Sequence, residues 1–271
     1  MGIKITSQQD GFTIIEISLF FAVSGLLLAT MMAGIGIAVQ QQRFTDSANG
    51  TQSMLQQQYN ETQVTINSRQ DDACLGEDAD TGASGCLIVG KLIDLRHVIN
   101  NEVHTKSYRV IVNQDVADNA QESENPPSDL DLFNGDIAPS LGNIETKAIK
   151  SSESTLDFII PWGADLDIPR LDTGDGIGTD ARYILILRSP INGSINTYYI
   201  AGADSLVDGA SDTIDLRGRI LSFASNQSIK SCIRSADLFR ANALLKITPG
   251  ATQDSITTQF DTQEKTDWCD A

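Results

Sequence analysis

An apolar run from Phe12 to Val39 constrains this chain more than any other feature. It contains about 28 residues and a single charge, Glu16. With a rise of about 1.5 Å per residue, a helix of this length exceeds the roughly 30 Å hydrocarbon core of a bilayer. The run therefore predicts a membrane-spanning helix. Its acid needs a partner inside a membrane, although a negative charge also suits the first turn of any helix.

The residues before this run form a short, polar leader. The leader contains Lys4 and ends at Gly11, and the sequence Phe12-Thr-Ile-Ile-Glu16 follows. This pattern resembles the class III signal of type IV pilins and type II secretion pseudopilins. The resemblance implies that prepilin peptidase removes residues 1–11 and that Phe12 becomes an N-methylated terminus. It also implies that Glu16 neutralises the terminal amine of a neighbouring subunit, which offsets the cost of a carboxylate in an apolar bundle.

The same resemblance implies partners and a location. The partners would be other pilin subunits, the peptidase and the assembly platform of a pilus or type II secretion system. The chain would first span the bacterial cytoplasmic membrane once, with its head outside the cytoplasm, and would later join an extracellular or periplasmic filament. The length of 271 residues favours a minor pilin or pseudopilin over a major pilin.

Other interpretations of the N-terminus remain open. Gly36-Ile37-Ala38 offers small residues to signal peptidase, but the run is longer than the 7 to 15 apolar residues of a typical secretory signal. A plain single-pass anchor would not account for Gly11, Phe12 and Glu16 together. The chain could also be an exported surface-binding protein (an adhesin) or a hydrolase with a fortuitous N-terminal motif. The sequence contains no nucleophile-elbow, zinc-protease or phosphate-loop motif, so we expect no enzymatic activity.

The net charge of −17 belongs to the chain after the leader, in which Lys4 and Asp10 cancel. Nucleic acids and anionic lipid surfaces would repel so acidic a protein. We therefore predict no nucleic-acid partner.

Beyond Val39 the chain turns polar but keeps a helical period. Apolar or small residues recur in steps of three and four, which places them on one face of a helix. These residues are Phe44, Ala48, Thr51, Leu55, Tyr59, Thr62 and Ile66. The spacing predicts that residues 40–70 continue the helix, with Gly50 as its weak point, and that this half lies on the head.

Residues 71–271 carry the signals of a β-rich head. Asn100-Asn101 is a plausible hairpin turn, residues 114–153 form an acidic insertion, and we expect short helices at Leu141–Lys150 and Ser231–Ala243. The predicted strands are Leu87–Leu95, Val98–Val112, Leu156–Ile160, Arg182–Arg188, Thr197–Ile200, Asp212–Leu216, Ile220–Phe223 and Leu244–Thr248. An antiparallel sheet across the second half of the helix would bury both apolar faces. The expected class is therefore α+β, the pilin-like fold.

Four cysteines suggest two disulfides, given the extracytoplasmic head that the resemblance implies. The preferred connectivity among three is Cys74 to Cys86 and Cys232 to Cys269, and the second span resembles the C-terminal disulfide loop of many pilins. Zinc is the rival interpretation, but neither pair has C-x-x-C spacing and the chain has two histidines.

One cluster of acids and glycines has the composition of a cation loop. Asp172, Asp175 and Asp180 alternate with glycines, and their hard oxygens could bind Ca²⁺, as a loop in some pseudopilins does. The spacing fits no EF-hand, and Asp-Gly is also common turn chemistry. We expect no other cofactor.

Overall fold

The computed structural model describes thirteen ranges of the chain: residues 13–63, 86–100, 102–113, 127–135, 146–150, 155–174, 177–200, 206–207, 213–224, 226–235, 241–250, 252–260 and 268–269. Helix α1 runs from Ile14 to Gln63 without interruption. The chain divides into two compact units, Met1–Arg43 and Phe44–Ala271. The expected long N-terminal helix is therefore confirmed, and residues 64–70 of its predicted end lie outside the described ranges.

The half of α1 that belongs to the second unit buries one face. Its buried positions follow one another at steps of three or one, which places them on one face, as expected for an amphipathic helix. They are Phe44, Ser47, Ala48, Thr51, Met54, Leu55, Gln58, Tyr59 and Thr62. The predicted face is confirmed up to Thr62, and the helix passes through Gly50 without a break.

Fourteen strands and a second helix make up the rest of the described chain. The strands are β1 Cys86–Ile99, β2 Glu102–Asn113, β3 Lys147–Ile149, β4 Leu156–Ile159, β5 Asp165–Leu166, β6 Arg170–Asp172, β7 Ile177–Asp180, β8 Tyr183–Arg188, β9 Ile195–Ile200, β10 Thr213–Asp215, β11 Ile220–Ser222, β12 Ser228–Arg234, β13 Asn242–Ile247 and β14 Ile256–Gln259. Helix α2 is Asp129–Asn134, and short 3-10 turns are Pro161–Gly163 and Gln253–Ser255.

The strands form two antiparallel sheets. The larger sheet has the order β10-β3-β2-β1-β8-β9-β11, with β4 also paired to β2. The smaller sheet has the order β14-β13-β12-β6-β7, with β5 also paired to β12. Every strand pairing among the residues that the structure describes is antiparallel, which confirms the expected α+β class.

The β1–β2 hairpin is the longest pairing of the larger sheet and turns where the sequence predicts. Ile99 pairs with Glu102 across a turn in which Asn100 has a positive φ of 51°, a conformation that asparagine tolerates. A bulge between Ile88 and Gly90 shifts the register. A Cβ at Gly90 would lie 2.0 Å from the carbonyl oxygen of Ile186, so the close approach of β8 requires glycine here.

The main core lies where the buried face of α1 meets both sheets. Leu55 and Tyr59 share one apolar cluster with Ile186 of the larger sheet and with Leu245 and Ile247 of the smaller sheet. The opposite face of the larger sheet is covered as well. Residues of β1, β8 and β9 there pack with α2, in a second cluster that includes Leu92, Leu185, Tyr198 and Phe133. Coverage on both faces explains why β8 is apolar almost throughout, although antiparallel strands commonly alternate.

Polar groups fix how α1 lies on the strands. The Tyr59 hydroxyl lies 2.7 Å from Thr197 Oγ1, and that hydroxyl donates to the carbonyl oxygen of Gly250. Since the Thr197 proton is used there, Tyr59 must be the donor to Thr197, and burial raises the pKa of the Tyr59 phenol so that it keeps its proton. Ser107 Oγ donates to Gln58 Oε1 over 2.8 Å. These bonds join the helix to β2 and β9.

Two helix predictions in the head are wrong. Ser231–Ala243 overlaps β12 and β13, because Ser228–Arg234 is a central strand paired with β13, β5 and β6 and buried on both faces. Leu141–Lys150 contains β3 at Lys147–Ile149, which pairs with β2 and β10, and residues 141–145 lie outside the described ranges. In both cases long-range pairing outweighs local helix propensity.

The acidic insertion holds a helix that the sequence analysis missed. Ser128 caps the N-terminus of α2 by accepting from Asp131 N, and Gly135 closes its C-terminus with φ 75°. Ser-Asp-Leu-Asp before a glycine is the composition of a short capped helix. The predicted strands inside the described ranges are confirmed, most of them within about two residues at their ends. The exceptions flank the hairpin turn, where β1 continues to Ile99 instead of ending at Leu95 and β2 begins at Glu102 instead of Val98.

Leu55→Ala tests the contribution of the buried helix face. Leu55 is fully buried, so we expect the substitution to lower the free energy of unfolding by about 2 to 5 kcal/mol. Leu27→Ala removes the same atoms from a side chain that is 59% exposed and serves as the matched control. Urea denaturation of both detergent-solubilised variants, followed by near-UV circular dichroism, measures the difference. Equal effects of the two substitutions would contradict the assignment.

Candidate functional site

Helix α1 begins with a reciprocal cap made by Thr13 and Glu16. Glu16 Oε2 accepts from the Thr13 amide over 2.9 Å and from its hydroxyl over 3.0 Å. The Thr13 hydroxyl in turn accepts from the Glu16 amide over 3.3 Å. This is the capping box that Thr-x-x-Glu predicts. Within one chain, the carboxylate of Glu16 thus already has a local structural role.

The surface of α1 after this cap is apolar and exposed. From Ile14 to Val39 every residue is exposed except Ser24, which is half-buried. Within the described ranges, α1 alone is long and apolar enough to cross a membrane, and an N-terminal signal sequence would share these properties. No membrane or second chain covers this surface in the structure of the single chain.

Three glycines lie on this apolar surface at positions where no described atom of the same chain would exclude a larger side chain. A Cβ built at Gly25, Gly34 or Gly36 would meet no described atom within 4 Å. Glycine inside a helix costs roughly 0.5 to 1 kcal/mol relative to alanine. The cost is offset where a second helix approaches closely, which small residues permit in membranes.

The predicted processing residues Gly11 and Phe12 lie outside the described ranges. Of the predicted N-terminal site, the structure therefore places Glu16 alone, at the first turn of α1. The cleavage site stays a prediction.

Cys232 and Cys269 form the predicted C-terminal disulfide. Their Cα atoms are 5.6 Å apart, and both residues are buried against Leu244. Trp268 packs beside them, with Lys230 Nζ 5.0 Å from the centre of its ring. Cys74 lies outside the described ranges, so its predicted bond to Cys86 stays a prediction. The disulfide suggests a domain outside the cytoplasm, and the apolar N-terminal helix is consistent with a membrane anchor or a signal sequence.

The three acids of the predicted Ca²⁺ loop are described in part. The Asp172 carboxylate pairs with Lys230, and Asp180 Oδ1 lies 3.5 Å from Arg170 Nε. Asp175 lies outside the described ranges. No group of three metal-ligating side chains occurs among the residues that the structure describes. Calcium binding stays a prediction, and a calcium ion would compete with Lys230 for Asp172.

A buried ion pair, which the sequence analysis did not identify, lies in the larger sheet. Asp94 is fully buried and receives two hydrogen bonds from the Arg182 guanidinium, at 2.6 and 2.7 Å. The ring nitrogen of His97 is 3.3 Å from both groups. An acid within an apolar strand was the available signal, because such a charge is stable only when paired.

A surface cleft of about 550 Å³ lies beside this ion pair, at the turn end of the β1–β2 hairpin. Its lining includes buried Val103, Ile160 and Ala164 and the more exposed apolar side chains of Val98, Ile159 and Trp162. Arg96, Glu102 and Asp165 supply charges of both signs. The volume lies within the range of small-molecule sites.

Trp162 occupies this cleft in an unusual conformation. It has φ 62° and ψ 23°, the next residue Gly163 has φ 67°, and Ala164 N donates to Pro161 O. The two positive φ values describe a turn of the type that favours asparagine and glycine. A left-handed conformation costs a side-chain-bearing residue roughly 1 to 2 kcal/mol, yet Trp162 is 57% exposed and is not a core residue.

The charged groups of the cleft are held by neighbouring elements. Arg96 Nε donates to the carbonyl oxygen of Leu166 over 2.5 Å, and the Arg96 amide donates to Asp94. Its guanidinium lies 3.6 Å from Asp165 Oδ1. That oxygen is buried and accepts no hydrogen bond within the described part of the chain. The cleft therefore offers a fixed donor and, on the exposed half of the Asp165 side chain, a carboxylate acceptor.

Asp172→Asn tests the ion pair with Lys230 through its pH dependence. Burial alone would raise the pKa of Asp172, but hydrogen bonds from Lys230 and the Gly174 amide outweigh it and lower the pKa below its usual value. A lowered pKa stabilises the folded state at every pH above the unfolded-state pKa of about 3.9. This stabilisation is lost as the pH falls through the folded-state pKa. We therefore expect the variant to be less stable than wild type at pH 7 and equally stable near about pH 2.

Urea midpoints across this pH range measure the difference. Lys230→Met, which removes the cation instead, should reduce the same pH-dependent stabilisation and leave the smaller part that the Gly174 amide supplies. A deficit of Asp172→Asn that persists at the lowest pH would contradict the assignment.

Comparisons with known proteins add no relative. No family model, curated protein or solved structure matches the chain. The architecture itself is pilin-like: a long N-terminal helix with an apolar stretch, packed on antiparallel sheets.

Proposed function

We propose that this chain is a structural subunit, a minor pilin or pseudopilin, of a type IV pilus or type II secretion-like filament. One observation carries the proposal: the side chains of α1 from Ile14 to Val39 are almost all exposed and apolar. Water does not tolerate so large an apolar surface, so lipid or other protein must cover it. A filament supplies both coverings in turn, first the membrane and then the helices of other copies.

The details of α1 support helix-to-helix packing as the second covering. Gly25, Gly34 and Gly36 would allow neighbouring helices to approach closely. Glu16 lies at the N-terminal turn of α1, where a carboxylate could meet the amine of another copy. Because the apolar surface exchanges lipid for protein, packing and this charge pair would determine the register of the subunits.

In this proposal, prepilin peptidase removes residues 1–11 and Phe12 is N-methylated. The chain spans the cytoplasmic membrane once before assembly, and its disulfide-containing head lies outside the cytoplasm. Its partners are other subunits and the assembly platform, and its role is structural rather than enzymatic.

The N-terminus of the mature protein tests the proposal. We expect protein purified from the membrane fraction to begin at Phe12, because the peptidase would cut after Gly11. Edman sequencing and intact-mass measurement determine the start and its methylation. A start near Val39 would indicate ordinary export, and an intact Met1 would indicate a plain anchor; either would overturn the proposal.

Glu16→Ala separates the two roles of the carboxylate. We expect normal leader removal but incorporation into filaments reduced roughly tenfold or more, because the amine of the next copy would lose its partner. Thr13→Val is the matched control, since it removes the hydroxyl of the capping box and keeps the carboxylate. Immunoblots of sheared filaments measure incorporation. If Thr13→Val reduced it equally, helix capping would explain the effect.

A surface-binding role of the head is the second candidate, and it is compatible with the first. The observation that favours it is the cleft around Trp162, where an exposed aromatic ring meets fixed charges.

A further inference from the structure

We propose that the cleft lined by Trp162, Arg96 and Asp165 binds an uncharged pyranose sugar. This inference concerns the head and stands apart from how the helix assembles. It rests on the conformation of Trp162, on the polar groups around its ring and on the charge balance of the cleft.

The conformation of Trp162 points to a function of the ring itself. The turn at Pro161–Gly163 needs positive φ at Trp162 and Gly163, which asparagine or glycine would provide without strain. Packing does not explain the tryptophan either, because more than half of its surface is exposed. Strained residues persist mainly at functional sites, and an exposed, strained indole fits a binding platform.

The groups around the ring match the chemistry of a sugar. A pyranose has a face of C–H groups, which packs on an aromatic ring, and hydroxyl groups that both donate and accept hydrogen bonds. The exposed indole offers the apolar platform, and Val98 and Ile159 extend it. Arg96 can donate, and the half-exposed carboxylate of Asp165 can accept from a hydroxyl.

The charges of the cleft favour a neutral ligand. Glu102 and Asp165, together with the net charge of −17, disfavour acidic sugars and other anions. A cationic ligand could bind the indole through a cation–π contact and would meet two carboxylates beside the guanidinium of Arg96, so it is the competing occupant that the cationic probe tests. A ligand without charge avoids repulsion by Arg96 and by the carboxylates alike, and it can still use the polar groups.

Arg96 and Asp165 are also preorganised. Arg96 is fixed by two hydrogen bonds, from its Nε to the carbonyl oxygen of Leu166 and from its backbone amide to the Asp94 carboxylate. Asp165 belongs to strand β5. The backbone before Trp162 is fixed by a bond of 3.2 Å from Ile160 N to Val103 O. Preorganised groups lose little freedom on binding, which favours affinity and specificity for a small ligand.

Titration of the full chain with neutral disaccharides tests the proposal. The probes are lactose, maltose, cellobiose and N,N′-diacetylchitobiose, with glucuronic acid and lysine methyl ester as charged comparisons. The chain is kept in a zwitterionic detergent, because sugar head groups would compete. Trp268→Phe leaves Trp162 as the sole tryptophan, so its fluorescence reports directly on the cleft. Each probe is added to roughly 20 mM, which detects millimolar dissociation constants.

Trp162→Asn is the decisive variant. Asparagine suits the left-handed turn, so the melting temperature should stay equal to that of wild type or rise, while the platform is lost. Saturation-transfer NMR, which needs no tryptophan, should then show at least about tenfold weaker binding of the neutral sugar. Asp165→Ala should also weaken it, because it removes the acceptor.

The outcomes are distinct. A neutral sugar that binds wild type and is weakened by Trp162→Asn supports the proposal. It is overturned if no neutral probe binds, if Trp162→Asn binds as wild type does, or if only a charged probe binds. None of these results depends on filament assembly, so the two proposals can fail separately.

Discussion

The burial of one face of α1 between Phe44 and Thr62 is the interaction on which the head depends. This face shares its core with both sheets, so removing it would expose apolar side chains of each. Full burial of a side chain such as Leu55 contributes about 1.5 to 3 kcal/mol, and the position of the helix is then fixed by Tyr59 and Gln58. The two sheets are held together largely by the apolar core that each of them shares with α1.

The same helix has a second apolar surface that the chain itself does not cover. Before Val39 its exposed side chains are as apolar as the buried ones after Phe44. The physical difference is that the surface before Val39 requires a partner from outside the chain, whereas the face after Phe44 has its partner in the same chain. This contrast motivates the filament proposal, since it assigns the two halves of one helix to assembly and to folding.

The head combines structural and candidate functional polar groups in one place. The Asp94–Arg182 pair is buried in the sheet and satisfies its own charges, whereas Arg96, two residues away, reaches the cleft. A buried pair of this kind is weak support for stability but fixes geometry. We infer that it helps to hold the hairpin end, and with it Arg96, in one position.

The sequence alone determined the helix, its buried face and the hairpin turn at Asn100, because each depends on residues close in the chain or on simple periodicity. The Cys232–Cys269 disulfide spans 37 residues and was predicted from the cysteine count and the resemblance. Even the cap of Thr13 with Glu16 follows from a spacing of three. The tertiary structure alone decided that Ser231–Arg234 is a strand, since its partner β5, at Asp165–Leu166, comes from a distant segment of the chain. The tertiary structure alone also formed the Asp94–Arg182 ion pair and the cleft. Both bring together residues more than 60 positions apart, such as Arg96 and Trp162, and no local sequence pattern specifies a contact over that separation.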